Sequence, residues 1–372
     1  MDTSAIKAVA IDARKQLMEG VERRCLQFGI VSGADPTLRA VGGRVLSNDE
    51  MRQRQELLRL QDGLREGAED GHAALVERAA YTWFDRLFAI RFMEANDRLP
   101  SHVRLFSAQD GSFDPECLRE AMDLPIEGLD REEVASLVAQ GDDEELFRTI
   151  LLAQCEELSG CMPSVFEPVG AAMELLLPDH LLARDGVIQS LVEGVPEESW
   201  TQGVEIVGWA YQFYVQERKD AYFATGEPAK RDDIAPATQL FTPEWIVRYL
   251  VENSLGRLWM SNRPDSSLEE RMEYYMPPRG GQREEFRHID SPEDISLIDP
   301  ACGSGHILVY AFDLLASMYE ESGYRLRDIP RLILAKNLTG LEIDPRAASL
   351  ASFALTMKAC ELDKRFLTRL ST

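Results

Sequence analysis

Apolar side chains recur at helical spacing through residues 47–96. In "YTWFDRLFAIRFME", Trp83 is followed four positions on by Leu87, and Phe84 by Phe88 and then Phe92, so one broad stripe of a helix is apolar. Such a stripe predicts a packed core helix. Further amphipathic runs at 132–158, 180–191 and 202–217 continue the pattern, and strand-like alternation is scarce before residue 290. Residues 1–225 are therefore expected to form a mainly α-helical N-terminal domain.

The pattern then breaks. The stretch "GEPAKRDDIAP" (226–236) is polar with two prolines and reads as a linker, leaving 237–372 as a second domain. "FTPEWIVRYLVENSLGRLW" predicts a helix capped by the Thr242 hydroxyl, with Pro243 at the first helical position. Residues 261–294 are loop-like. Beyond them "DISLID" predicts a short strand ending in an acid, "HILVYAFDLLASMYEE" a helix, and "NLTGLEIDP" a second strand ending in acids. Strand, glycine turn, helix, strand is the opening of a parallel βαβ sheet.

Charge narrows the partners. The 372 residues carry a formal net charge of −24, and 110–200 alone holds 22 acids against the four bases Arg119, Arg131, Arg148 and Arg184, a net of −18. Affinity for a nucleic-acid backbone comes from Lys and Arg releasing counterions, so this stretch is not a phosphate-binding face. It predicts a solvated surface, or a docking face for a basic partner. No apolar run is long enough to span a bilayer, and "MDTSAIKAVAIDARKQ" lacks the apolar centre of a signal peptide, so a cytoplasmic protein without a membrane partner is expected. Six cysteines lie at spacings that make no tetrahedral metal site; they are read as reduced thiols, with no metal ligands assigned.

The chemistry is concentrated in "DPACGSG". In an open α/β sheet the turn after the first strand points backbone amides at a ligand, and Gly303 and Gly305 let that ligand approach without meeting a Cβ. The dinucleotide fingerprint requires a third glycine where this chain has Leu308, and no Gly-Lys-Ser/Thr follows as in a P-loop. Asp299 would repel a pyrophosphate and suits a cationic amine. A ligand with an α-amino group, a ribose and no phosphate fits, and S-adenosylmethionine is one. Glu342 or Asp344, at the end of the second strand, could accept hydrogen bonds from the ribose hydroxyls.

"TQLFTPEWIVRYLV", "DPACGSGHILVYAFDLL" and "GLEIDPRAASLASFAL" resemble, in that order, motifs X, I and II of amino-group DNA methyltransferases of the adenine-N6 type. "YTWFDRLFAIRFMEANDRLP" and "GWAYQFYVQERKDAYF" are similar to the helical N-terminal region of the PglX family, the adenine-specific methyltransferases of BREX phage-defence systems. The resemblance implies a helical domain followed by the start of an α/β Rossmann-like, S-adenosylmethionine-dependent methyltransferase fold. By motif, it places Thr242 and Pro243 near the methionine carboxylate of the cofactor. Asp299, Ala301, Gly303 and Gly305 would line the methionyl end, and Glu342 would hold the ribose.

Transfer to an exocyclic adenine amine also needs acceptors for the amine hydrogens of a flipped base. In the family these come from an Asn/Asp-Pro-Pro-aromatic loop after the fourth strand. The one Pro-Pro pair here, Pro277–Pro278 in "YYMPPRGG", precedes the glycine loop and is flanked by Met276 and Arg279, so it reads as loop prolines. No catalytic residue is assigned, and the chain is expected to be the N-terminal portion of a larger enzyme whose double-stranded DNA contacts lie mainly elsewhere. The alternatives are a non-catalytic homologue that docks other phage-defence proteins through its acidic helical domain, and the modification subunit of a type I-like restriction system.

Overall fold

A computed structural model describes residues 3–64, 70–166, 172–226, 234, 237–240, 242–278 and 287–370. It is mostly helical, and among the described residues strands form only two two-stranded sheets. The chain divides into two compact units, Met1–Gly203 and Val204–Thr372. Of the expected linker at 226–236, only Gly226 and Ile234 are among the described residues.

In the first unit α1 (Ser4–Gln27) and α2 (Asn48–Leu64) pack on α3 (Gly71–Ala95), and a hairpin of β1 (Ala40–Val41) and β2 (Arg44–Val45) lies between α1 and α2 in the chain. The Asp70 side chain starts α3 by accepting the His72 amide at 2.9 Å. Trp83, Phe84, Leu87, Phe88 and Phe92 are buried as the spacing predicts, and the Phe84 and Phe88 rings stack at 4.1 Å. Each such side chain contributes roughly 1.5–3 kcal/mol. The helix is buried on its polar side too: Asp85, Arg86, Arg91 and Glu94 are all inside. Partners make this possible. Arg91 donates to Glu94 at 2.7 Å, and Glu94 also accepts the Phe106 amide at 2.8 Å, while burial raises the Glu94 carboxyl above its usual range.

The amphipathic run at 132–158 forms two helices, α4 (Arg131–Gln140) and α5 (Asp143–Ser159). Between them Gly141 sits at φ +68° and ends α4 in the left-handed region, and Asp130 and Asp142 cap the two N-termini.

The second unit begins with α6 (Glu205–Tyr214) and α7 (Gln216–Thr225), followed by α8 (Glu244–Val251) and α9 (Arg257–Asn262). The helix predicted from Thr242 is corrected in two respects. Pro243 is its cap residue, at ψ 142°, rather than its first turn, and the Thr242 hydroxyl makes no capping bond; the Pro243 carbonyl starts the helix by accepting the amides of Ile246 and Val247. Between α8 and α9 runs a π-turn, Glu252–Gly256, which keeps Glu252 buried where it accepts the Tyr310 hydroxyl at 2.6 Å.

β3 (Leu297–Asp299), α10 (His306–Glu321), β4 (Leu338–Gly340) and α11 (Pro345–Leu362) follow. β3 and β4 are parallel, with Leu297, Ile298 and Asp299 opposite Leu338, Thr339 and Gly340. The expected strand–helix–strand order is thus present, and α10 spans the residues predicted for it. The two long helices pack on each other, and Leu308, Phe312, Leu315 and Phe353 are among their buried residues. No helix among the described residues is long and apolar enough to cross a membrane.

Candidate functional site

The ends of β3 and β4 stay hydrogen-bonded past the strands. Asp299 accepts the Leu341 amide at 2.9 Å and Leu341 accepts the Cys302 amide at 3.0 Å through their backbone carbonyls. This zipper lays the turn 300–305 alongside 341–344. Asp299 is buried, and its carboxylate accepts the Ala301 amide at 3.2 Å, which tightens the turn; Ala301 is exposed and Gly303 half-buried. The Gly303 backbone is at φ +55° and its amide donates to Glu342 Oε2 at 2.7 Å. Motifs I and II therefore meet through a carboxylate and a glycine amide.

Gly305, at φ +87°, is required twice over. It turns the chain into α10, and a Cβ there would lie 3.0 Å from Ala351 Cβ and 3.1 Å from Ala351 Cα on α11. The open side of Gly305 thus admits a neighbouring helix.

The two acids at the end of β4 have separate surroundings. Glu342, half-buried, accepts the amides of Ile343 at 2.9 Å and Asp344 at 3.0 Å on Oε1, besides Gly303 on Oε2. Asp344 is buried. Its Oδ1 caps α11 by accepting the Arg346 amide at 3.1 Å, and its Oδ2 accepts Gln239 Nε2 at 2.8 Å together with the Tyr211 hydroxyl. A carboxylate offers about four lone pairs, so each acid keeps one, but only Glu342 keeps it near solvent.

Motif X is fastened to both loops. Gln239, three residues before Thr242, bonds Asp344, and the His306 ring hydrogen-bonds the Thr242 backbone. Thr242 is half-buried and Pro243 exposed. Burial lowers His306 to a pKa of about 4, partly opposed by that bond to Thr242, so the ring is neutral at pH 7. Cys302 moves the other way: burial, then the nearby Asp299 and Glu342 carboxylates, push its thiol up to about 11, leaving it protonated and unreactive.

The chain is similar along nearly its whole length to two adenine-specific methyltransferases. One, named BrxX, from Escherichia coli O9:H4 (strain HS), is 42% identical over 386 residues, which cover 99% of this chain and 32% of that protein. The other, named PglX, from Lacticaseibacillus casei (strain Zhang), is 37% identical over 401 residues, 98% of this chain and 33% of that protein. This chain is homologous to adenine-specific methyltransferases. The family described as the MmeI DNA-methyltransferase domain matches residues 283–371, the segment holding β3, the glycine turn, β4 and α11. The chain spans about a third of the length of the curated relatives it matches.

The structure brings Gly303 and Glu342 into direct contact, and binds the Thr242 backbone to the helix that Gly305 opens. Sequence reasoning did not assign Gln239, His306, Asp344 as a hub, or α6. The available signals were weak: a glutamine near a Thr-Pro pair, and two tyrosines and a glutamine among the apolar residues of "GWAYQFY".

Proposed function

We propose that the intact protein is an S-adenosylmethionine-dependent DNA methyltransferase that modifies the N6 amine of adenine, acting in a BREX-type phage-defence system. What carries the reading is the convergence of three loops on one place: Thr242 beside His306 of α10, and Gly303 bonded to Glu342. The donor set suits the cofactor. A backbone turn with Asp299 at its base can take a cationic amine, and half-buried Glu342 can take ribose hydroxyls. Thr242 and Pro243 would face the methionine carboxylate. S-adenosylmethionine, when bound, supplies the electrophilic methyl; the chain's residues bind and orient it.

In this reading residues 237–372 are the N-terminal part of the methyltransferase domain, with 1–225 its helical companion. Among the described residues β3 and β4 pair only with each other, and Ile298, Leu341 and Ile343 are 60%, 53% and 73% exposed. A Rossmann-like sheet extended by further strands would cover such apolar positions. The acceptors for a flipped adenine and the main DNA contacts would lie in the remainder of the enzyme, and the acidic helical unit would meet other defence proteins.

The test is transfer of a tritiated methyl group from the cofactor to plasmid DNA. Incorporation by the intact enzyme, with none by residues 1–372 alone, is the expected result. Incorporation by residues 1–372 would overturn the division of labour; none by the intact enzyme on its host's unmethylated DNA would overturn the activity.

A further inference from the structure

The Tyr211 hydroxyl sits in a place that ring packing alone does not explain. Tyr211 is 1% exposed and donates to Oδ2 of Asp344, the same oxygen that accepts Gln239 Nε2 at 2.8 Å. A buried hydroxyl beside a buried carboxylate is costly unless the two are bonded, so the pair is mutually required. The consequences run outward through Asp344. Its Oδ1 caps α11, while its backbone amide donates to Glu342 Oε1 at 3.0 Å, and the other oxygen of Glu342 accepts the Gly303 amide at 2.7 Å.

The same face of α6 also reaches the glycine turn. Gly208 precedes Tyr211 by three residues, so both lie on one side of the helix. A Cβ at Gly208 would fall 2.6 Å from Ser304 Oγ and 2.9 Å from His306 Nε2, so α6 is set directly against motif I. Trp209 places its ring 6.0 Å from that of His306. One helix face therefore supports the motif I turn at Gly208 and the motif II turn at Tyr211, and Gln239 joins the segment leading to Thr242 to the same carboxylate.

We infer that Tyr211 is a positioning residue of the cofactor site: with Gln239 it fixes Asp344, and through Asp344 the turn that presents Glu342 to Gly303. This rests on the cofactor reading proposed above. The Tyr211 hydroxyl donates to Asp344 and also accepts Gln239 Nε2 at 3.3 Å, so its influence on the turn is assigned to the Asp344 carboxylate.

Tyr211→Phe in the intact enzyme removes the one hydroxyl. Cofactor affinity by calorimetry and the KM for S-adenosylmethionine should both weaken about tenfold, while kcat at saturating cofactor stays within about twofold of wild type, because the lost contact orders the binding site and not the transferring atoms. Gln239→Leu, which deletes the second donor to the same oxygen, should shift KM in the same direction. It also carries the test if Tyr211→Phe does not fold. A lower melting temperature with KM unchanged in the variants would make Tyr211 a core residue only, and overturn the inference. A fall in kcat with KM unchanged would overturn it as well. If the wild-type enzyme binds no S-adenosylmethionine, the functional reading itself falls and this inference with it; wild-type binding with unaltered variants removes the positioning role alone.

Discussion

Glu342 holds the Gly303 amide at 2.7 Å across the gap between the ends of two parallel strands. The contact ties the acid proposed for the ribose to the turn proposed for the methionyl group. Replacing Glu342 with Ala removes this tie and the one charge-assisted bond that its remaining lone pair would make to a ribose hydroxyl, worth roughly 1.5–3 kcal/mol, so cofactor affinity should fall by about one to two orders of magnitude in the intact enzyme. Gly303→Val should be more severe and abolish binding, because a β-branched residue is strained at φ +55° and its methyls would fill the approach to the turn. Calorimetry reads both. If Glu342→Ala binds as wild type and a folded Asp344→Ala does not, the ribose belongs to Asp344.

His306 makes stability depend on acid in a defined window. Its folded pKa of about 4 lies below its ordinary value of 6.5, so between those pH values the unfolded chain binds a proton that the folded chain does not. The neutral ring's full contribution is present above pH 6.5 and is lost as the pH falls toward 4, at no more than about 1.4 kcal/mol per pH unit. Thermal unfolding of wild type and His306→Gln, compared at pH 7 and pH 4.5, isolates it from the carboxylates common to both. The variant should gain on wild type as the pH drops. Parallel stability curves would show that His306 stays neutral in neither state preferentially.

What the chain revealed in advance was whatever depends on local pattern. The α3 stripe from Trp83 to Phe92 and the span of α10 follow from apolar spacing, and the glycine turn from two glycines after a proline. What stayed hidden depends on contacts distant in sequence. Periodicity marked the apolar stripe of α3 but could not place Asp85, Arg91 and Glu94 inside, because it counts charge and not its partner; the Phe106 amide and Ser107 hydroxyl that donate to Glu94 come from a later loop. The Thr242 cap failed because Thr242 is held through its backbone by His306, a residue 64 positions on. Asp344 and Glu342 were indistinguishable as letters. Their surroundings separate them, and Tyr211, 133 residues away, is one of three donors to the Asp344 carboxylate among the described residues.

The acidic helical unit should repel DNA. Of the four bases in 110–200, Arg131 is spent on the carbonyls of Met122 and Leu124, and Arg148 on those of Leu177 at 3.1 Å and Glu174 at 2.7 Å, so neither offsets a carboxylate by direct pairing. Arg119 pairs with Asp114 at 3.1 Å. Several acids are likewise engaged with amides: Asp130 and Asp142 as helix caps, Glu144 with Leu181 and Leu182. With 22 acids against four bases, two of those bases bonded to carbonyls and a third paired with Asp114, residues 110–200 have little to release counterions from a phosphate backbone. Residues 1–372 should therefore bind duplex DNA more weakly than about 1 µM at physiological salt, with little dependence on salt. Fluorescence anisotropy across 50 to 200 mM salt, roughly the range over which phosphate contacts are lost, measures this directly. Submicromolar affinity that falls steeply with salt would mean that a basic face exists on this chain and that the assignment of DNA contacts to the rest of the enzyme is wrong.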